Sequence, residues 1–295
     1  MQAVLESGCG LDVHQATVVA CLLVRDKKGT VHKQMHFFGT TTRELVSLRD
    51  WLLAEDCTHV GMESTGVYWK PVYAVLEGAF QIVVANAQHV KNVPGRKTDV
   101  KDAEWLADLL CHGLLKPSFV PPKPIRELRD LTRYRRKLVE AQAAERNRLL
   151  KVLEGANIKL SSVATDVFGV SGRLMLRALM DGKTSPQEMA KLAKGKLRAK
   201  IQQLEPALEG KLEPHHRFLL KLQLGRVEAA EEDLASLEEQ LQQKLEPYRA
   251  QLALLDEIPG VNLGLAAAII AELGVNCFAA RLLGRSLSRQ QRIGR

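Results

Sequence analysis

Residues 10–38, GLDVHQATVVACLLVRDKKGTVHKQMHFF, decide the architecture of the first part of the chain. Gly10-Leu-Asp-Val13 opens a strand, and Thr17 to Arg25 is a β-branched and apolar run. Asp26-Lys-Lys-Gly29 has turn composition, and Val31 to Phe38 supplies a third strand. Strands this close in sequence, joined by short polar segments, pair as antiparallel neighbours, so the sheet starts with a hairpin.

Downstream the pattern changes to alternating strand and helix. A Thr-rich cap precedes a helix over Thr42 to Glu55, and His59 to Glu63 is a fourth strand. A helix near Val67 to Glu77 follows. Phe80 to Asn86 is a short apolar run of the kind that makes a buried central strand. From Asp99 to Leu114, helical spacing links Val100, Ala103, Leu106, Leu109 and Leu110. The order βββαβαβα is that of the RNase H-like fold, an α/β class with a mixed sheet.

This domain is expected to occupy residues 1–116, with the four prolines of 117–124 as a linker. Beyond it the chain is helical: an α/β domain is followed by an α region over 125–250. Ile125 to Leu153 reads as one long basic helix and Pro214 to Leu245 as another. In the second, Leu220, Val227, Leu234 and Leu241 recur every seven residues with Ala230 and Leu237 between them. That short, mostly acidic heptad suits coiled-coil helix pairing or a homo-oligomer. A Lys-rich stretch, Lys183 to Lys200, looks like short helices. Residues 251–280 contain Leu255-Asp-Glu-Ile-Pro-Gly-Val-Asn-Leu-Gly-Leu-Ala-Ala-Ala-Ile-Ile270, which is like a helix-hairpin-helix. Such hairpins present backbone N–H groups to DNA phosphates. An ordinary tight turn between core helices is the alternative.

The bulk composition narrows the classes. With 295 residues, 46% hydrophobic and 26% charged, the chain is globular and long enough for two domains. No apolar run approaches a bilayer span, Leu263 to Leu273 being too short, and the N-terminus lacks a signal-peptide pattern. Cys9, Cys21, Cys57, Cys111 and Cys277 are scattered with no CxxC, which argues for a reduced protein of the bacterial cytosol and against structural zinc.

The net charge of +8 points to a polyanionic partner, double-stranded DNA first. Its distribution matters more than its sum. Residues 1–124 balance 13 Lys/Arg against 13 Asp/Glu, whereas residues 125–151 hold nine basic residues and four acidic ones. Arg129, Arg133, Arg136, Arg146 and Arg148, with Lys97, are the candidates for phosphate contact; a solvated helix face is the bland alternative. Aromatics, at 5%, are too scarce for base stacking to dominate.

Four carboxylates carry the chemistry. Asp12 lies in the first strand, Glu63 ends the fourth, and Asp99 and Asp102 lie three apart at the start of the last helix of the domain. In an RNase H-like sheet the first and fourth strands are neighbours and that helix packs across them, so all four can meet at one end. Oxygen-only donors select Mg²⁺ or Mn²⁺ and suit phosphodiester chemistry. Singly, each has a bland reading as a turn or helix-start acid. His14 and His89 could be ligands, although a surface place is the commoner fate.

Gly10-Leu-Asp-Val-His14, Met62-Glu-Ser-Thr-Gly-Val-Tyr-Trp69, Asn86-Ala-Gln-His-Val-Lys91 and Gly95-Arg-Lys-Thr-Asp-Val-Lys-Asp-Ala103 resemble the signature blocks of the DEDD transposases, the insertion-sequence family numbered one hundred and ten. The resemblance covers nearly all of residues 8–280. It implies a RuvC-like first domain, a coiled-coil connector and the start of a C-terminal transposase domain at Ile258-Pro-Gly-Val261. It implies that Asp12, Glu63, Asp99 and Asp102 take the four DEDD roles. It also implies a serine nucleophile from the C-terminal domain and a bridging guide RNA.

The last residues, 281–295, depart from that pattern: Arg281 to Arg295 holds five arginines and no acid. Without it the net charge falls from +8 to +3. Moving the frame by one base permits a Ser-Trp-Ala-Gly-Leu-Cys-Pro-Gly block like the family's. The expectation is a frameshift truncation that leaves the nucleophilic serine out of this chain, and the encoding nucleotide sequence tests it. A basic tail that binds nucleic acid is the alternative. The functional expectation is DNA transposition by metal-dependent strand cleavage and transfer, catalytically incomplete in this copy. Its rivals are an inactive DNA- and RNA-binding remnant and a resolvase-like nuclease using the carboxylates alone.

Overall fold

The computed structural model describes residues 3–26, 28–64, 66–92 and 102–275. The chain divides into two compact units, Met1–Val120 and Pro121–Arg295.

In the first unit the opening stretch folds as its pattern dictates. Strands β1 (Ser7–Val13), β2 (Thr17–Arg25) and β3 (Val31–Gly39) pair antiparallel in succession. Asp26 makes the second turn, its Oδ1 accepting from the amides of Lys28 and Thr30 at 2.8 and 2.9 Å. Then come α1 (Thr42–Ala54), β4 (His59–Glu63), α2 (Trp69–Leu76), β5 (Gln81–Ala85), α3 (Ala87–Asn92) and α4 (Asp102–Cys111). The sheet order is β3-β2-β1-β4-β5, with β4 parallel to both β1 and β5. This mixed sheet is that of an RNase H-like domain. Helix α3 is absent from the sequence reading. Its start is marked by Asn86, whose side-chain oxygen accepts from the Gln88 amide at 2.8 Å.

Period-two alternation divides the sheet between two helical layers. Cys9 and Leu11, Val18, Ala20 and Leu22, and Val60 and Met62 are buried against Leu45, Leu48 and Leu52 of α1 and Val72 and Leu76 of α2. On the other face lies α4, with Ala103 and Ala107 against Cys21, and Leu106, Leu109 and Leu110 against Ala85. Gly10 allows α4 its close approach. A Cβ there would collide with the carbonyl oxygen of Ala103 and the amide nitrogen of Ala107. After α4 the chain returns along β5, where Pro117 bridges Ala85 and the Ser118 amide donates to the Val84 carbonyl at 2.7 Å.

The second unit is helical: α5 (Lys123–Gly155), α6 (Leu160–Val163), α7 (Val170–Asp181), α8 (Pro186–Ala190), α9 (Ile201–Ala207), α10 (Pro214–Leu245), α11 (Arg249–Asp256) and α12 (Leu263–Leu273). Pro124 occupies the first turn of α5, where a missing N–H costs nothing. Helices α5 and α10 run antiparallel. Arg135 pairs with Glu238, Arg146 with Glu231, and Glu127 with Lys244.

Each end of that pair has its own core. Leu149 and Leu153 pack with α7, α9 and Leu220, Leu224 and Val227 of α10. Ile125 and Leu128 pack with Leu241, Leu245, Leu255 and the small residues of α12. The heptad leucines thus find a partner helix inside the same chain. Among the described residues no helix is long and apolar enough to cross a membrane.

Candidate active site

The β1–β4 ladder pairs Cys9 with Val60, Gly10 with Gly61 and Leu11 with Met62. One step further it reaches Asp12 and Glu63, at the carboxyl ends of parallel strands, the edge where open α/β sheets bind ligands. Leu11 and Met62 are buried under α1 and α2, so alternation turns Asp12 and Glu63 towards the α4 face. Helix α4 starts at that same place. Asp102 is its first residue, beside the Ala103 carbonyl that touches Gly10. Three of the four predicted carboxylates are therefore brought to one edge by three different elements. Asp99 and Lys97 lie outside the described residues.

Among the described residues no three His, Cys, Asp or Glu side chains are gathered closely enough to hold a metal ion. Asp12 instead meets His14, whose Nε2 lies 3.1 Å from its Oδ2. The two share a face because they are two residues apart, a signal available in the sequence. His14 is exposed, and His89 is half-buried on α3. Glu104, two residues into α4, is held on the far side by Lys33 at 2.9 Å. The donor set is nonetheless the right one for a hard divalent cation: carboxylate oxygens alone, on backbone fixed by sheet register.

A family model described as a transposase, of the DEDD type of IS110 insertion sequences, matches residues 9–158. That is half of the chain. The chain belongs to the DEDD transposase family. The match takes in Asp12, Glu63, Asp99 and Asp102, and the whole of α5. A comparison with curated proteins finds no match. As a member of this family, the transposase acts on DNA.

The basic candidates of the transposase on α5 divide into two kinds. Arg129, only 18% exposed, donates to the carbonyls of Ala271 and Glu272, both at 2.9 Å. Those carbonyls belong to the last turn of α12, where the helix itself supplies no donor. Arg146 reaches Glu231 at 2.9 Å and lies over the Phe168 ring. Arg133 makes a bidentate pair with Glu272 at 2.7 and 2.9 Å. Among the described residues Arg136 and Arg148 pair with neighbours on their own helix, Glu140 and Glu145. Arg136 is 78% exposed and Arg148 60%.

Hydrogen bonding sets the carboxylates of these pairs. The Arg133 hydrogen bonds hold the Glu272 carboxyl below its ordinary range, helped by the charges of Arg133 and Arg129 and against partial burial. At Glu231 burial pushes the carboxyl up, but hydrogen bonds and charge from Arg173 and Arg146 outweigh it. Both groups stay ionised and neutralise arginines that sequence reasoning counted as free for phosphate.

Proposed function

We propose that this transposase cuts and transfers DNA strands with a divalent metal held by Asp12, Glu63, Asp99 and Asp102. The observation that carries this reading is the register of β1 on β4, which aligns Asp12 with Glu63 beside the start of α4. A bound Mg²⁺ or Mn²⁺ would supply Lewis-acid stabilisation of charge on phosphoryl oxygens. The chain's own contribution is rigid placement: Gly10 and Ala103 lock α4 onto β1, and His14 orients the Asp12 carboxylate. Asp12 and Glu63 come from a sheet rather than loops, so their backbone positions are fixed before any ligand arrives.

Arg136 and Arg148 are the α5 residues best fitted to phosphate. The Arg136 pair with Glu140 is a surface pair, worth roughly 0.3–0.5 kcal/mol, which a phosphate can displace, whereas Arg148 shares the largely buried Glu145 with Arg226 and keeps an exposed guanidinium. Arg129 and Arg146 serve the fold of the helical unit. The serine nucleophile and the guide RNA that the resemblance implies belong to the same reading, and no serine of this chain is assigned the role. Assembly of copies would use faces other than the α5–α10 seam, which is filled within one chain.

The test is cleavage of matched DNA with Mg²⁺ and the element's RNA. Asp12→Asn and Glu63→Gln should each lower cleavage by more than about a hundredfold while leaving DNA binding intact. Undiminished cleavage in either variant sinks the metal reading. The spread of the described carboxylates favours a second reading, a protein that binds nucleic acid without cutting. The wild type would then bind and never cleave.

A further inference from the structure

The Lys-rich stretch between α7 and α9 has no part in the chemistry above. Residues 183–200 hold six Lys/Arg and one acid, Glu188. Glu188 is used in capping α8 on Ser185. Elsewhere in the helical unit arginine after arginine is neutralised by a carboxylate partner. Here, among the described residues, Lys194 and Lys196 have no ion-pair partner.

These lysines line a cavity of about 440 Å³ together with Thr165, Asp166, Ser171 and Lys200. Its walls are tied to each other. The Lys194 amide donates to Ser171 Oγ at 2.8 Å, and Lys200 Nζ donates to the Val163 carbonyl at 3.0 Å. The Lys194 backbone and the Lys200 ammonium are thus placed by the fold, and Lys194 and Lys196 are exposed beside them. The start of α7 lies in the same cavity wall, and its N-cap is Gly169, which has no side chain to satisfy the first-turn amides. One group opposes an anion. Asp166 accepts from the Phe168 amide at 2.9 Å, and its Oδ2 would lie 2.8 Å from a Cβ at Gly169. Three ammonium groups against one carboxylate leave the cavity cationic, with hydroxyls from Thr165 and Ser171 to accept or donate.

We propose that this cavity binds a phosphate of a nucleic-acid backbone, a second contact in the helical unit, separate from the carboxylate edge. It rests on the reading of the chain as a protein that acts on nucleic acid. The hydroxyls, lysines and first-turn amides of α7 suit a phosphodiester oxygen and carry no base readout, so the contact is sequence-independent.

The experiment is a salt titration of binding to labelled duplex DNA and, in parallel, to a structured RNA, with the full-length chain. Lys194→Glu/Lys196→Glu should weaken binding at least about tenfold at low salt. It should also flatten the slope of log affinity against log salt by about two. Lys194→Ala/Lys196→Ala should flatten it in the same direction, excluding an effect of added acid. Asp166→Asn keeps the Phe168 cap and should tighten binding. Flattening with DNA alone, RNA alone or both supports the site and identifies the source of the phosphate. Wild-type slopes in both Lys variants with both nucleic acids overturn the site and leave the carboxylate chemistry standing. A wild type that binds neither nucleic acid overturns the site and the nucleic-acid reading together.

Discussion

Arg129 and Arg133 sit one helical turn apart on α5, yet they do different work. Arg129 is largely buried and supplies hydrogen bonds to carbonyls that end α12, so removing it strands two acceptors. Arg129→Ala should cost about 1.5–3 kcal/mol in urea denaturation, the range for hydrogen bonds from a charged donor. Arg133→Ala removes an exposed pair and should cost under about 1 kcal/mol. Equal costs would remove the distinction. Glu272 adds a pH dependence. Its folded-state carboxyl titrates below the unfolded value because Arg133 hydrogen-bonds it, and the Arg133 and Arg129 charges add to this. A depressed carboxyl stabilises the fold above the unfolded value, about 4.3, and that stability is lost as pH falls through the lower folded value. Glu272→Gln should lose stability at neutral pH and show a shallower acid decline. An unchanged acid profile would show that the pair is idle.

At the scale of elements, two glycines make opposite predictions from one kind of observation. Gly10→Ala puts a methyl into the backbone of α4 and should destabilise by about 1–3 kcal/mol or more, with α4 and Asp102 displaced. Gly225 lies inside α10 with nothing within 4 Å of a Cβ, so Gly225→Ala should stabilise by up to about 1 kcal/mol. Denaturation midpoints of the two variants moving the same way would contradict the packing account. The same contrast explains what was legible in the sequence. The existence of the five strands, α1 and the α10 boundaries follow from local periodicity, which is written in neighbouring residues. Strand β5, however, is an edge strand and not the central one its apolar run suggested, its outer side being covered by Pro117 and Ser118. The meeting of Asp12, Glu63 and α4 followed from strand order. Partners far apart in the chain were not legible: Arg129 meets residues 142 and 143 positions away, and no local pattern encodes that. The heptad of α10 showed that a partner helix exists and left open whether it was α5 of the same chain. Helix α3 is six residues long, too short for a period to register.

At the scale of the molecule, the two units can be read separately, because all four described cysteines lie in the first. Cys9, Cys21, Cys57 and Cys111 are buried, and burial is the largest cause raising each thiol, to about 11 for Cys21 and Cys57. A buried, protonated thiol reacts only when the unit opens, so its labelling rate reports that opening free energy. An ion bound to the native carboxylate edge stabilises the closed unit by RT ln(1 + [L]/Kd), about 2.7 kcal/mol at a hundred times Kd. Saturating Mg²⁺ should therefore slow labelling at these four cysteines roughly a hundredfold in the wild type. Asp12→Asn should abolish that protection, and the helical unit, which contributes no ligand, should keep its own stability. Mass-resolved labelling assigns the effect site by site. Equal protection in wild type and Asp12→Asn would place the ion elsewhere, and no protection in the wild type would remove metal from the carboxylate edge altogether.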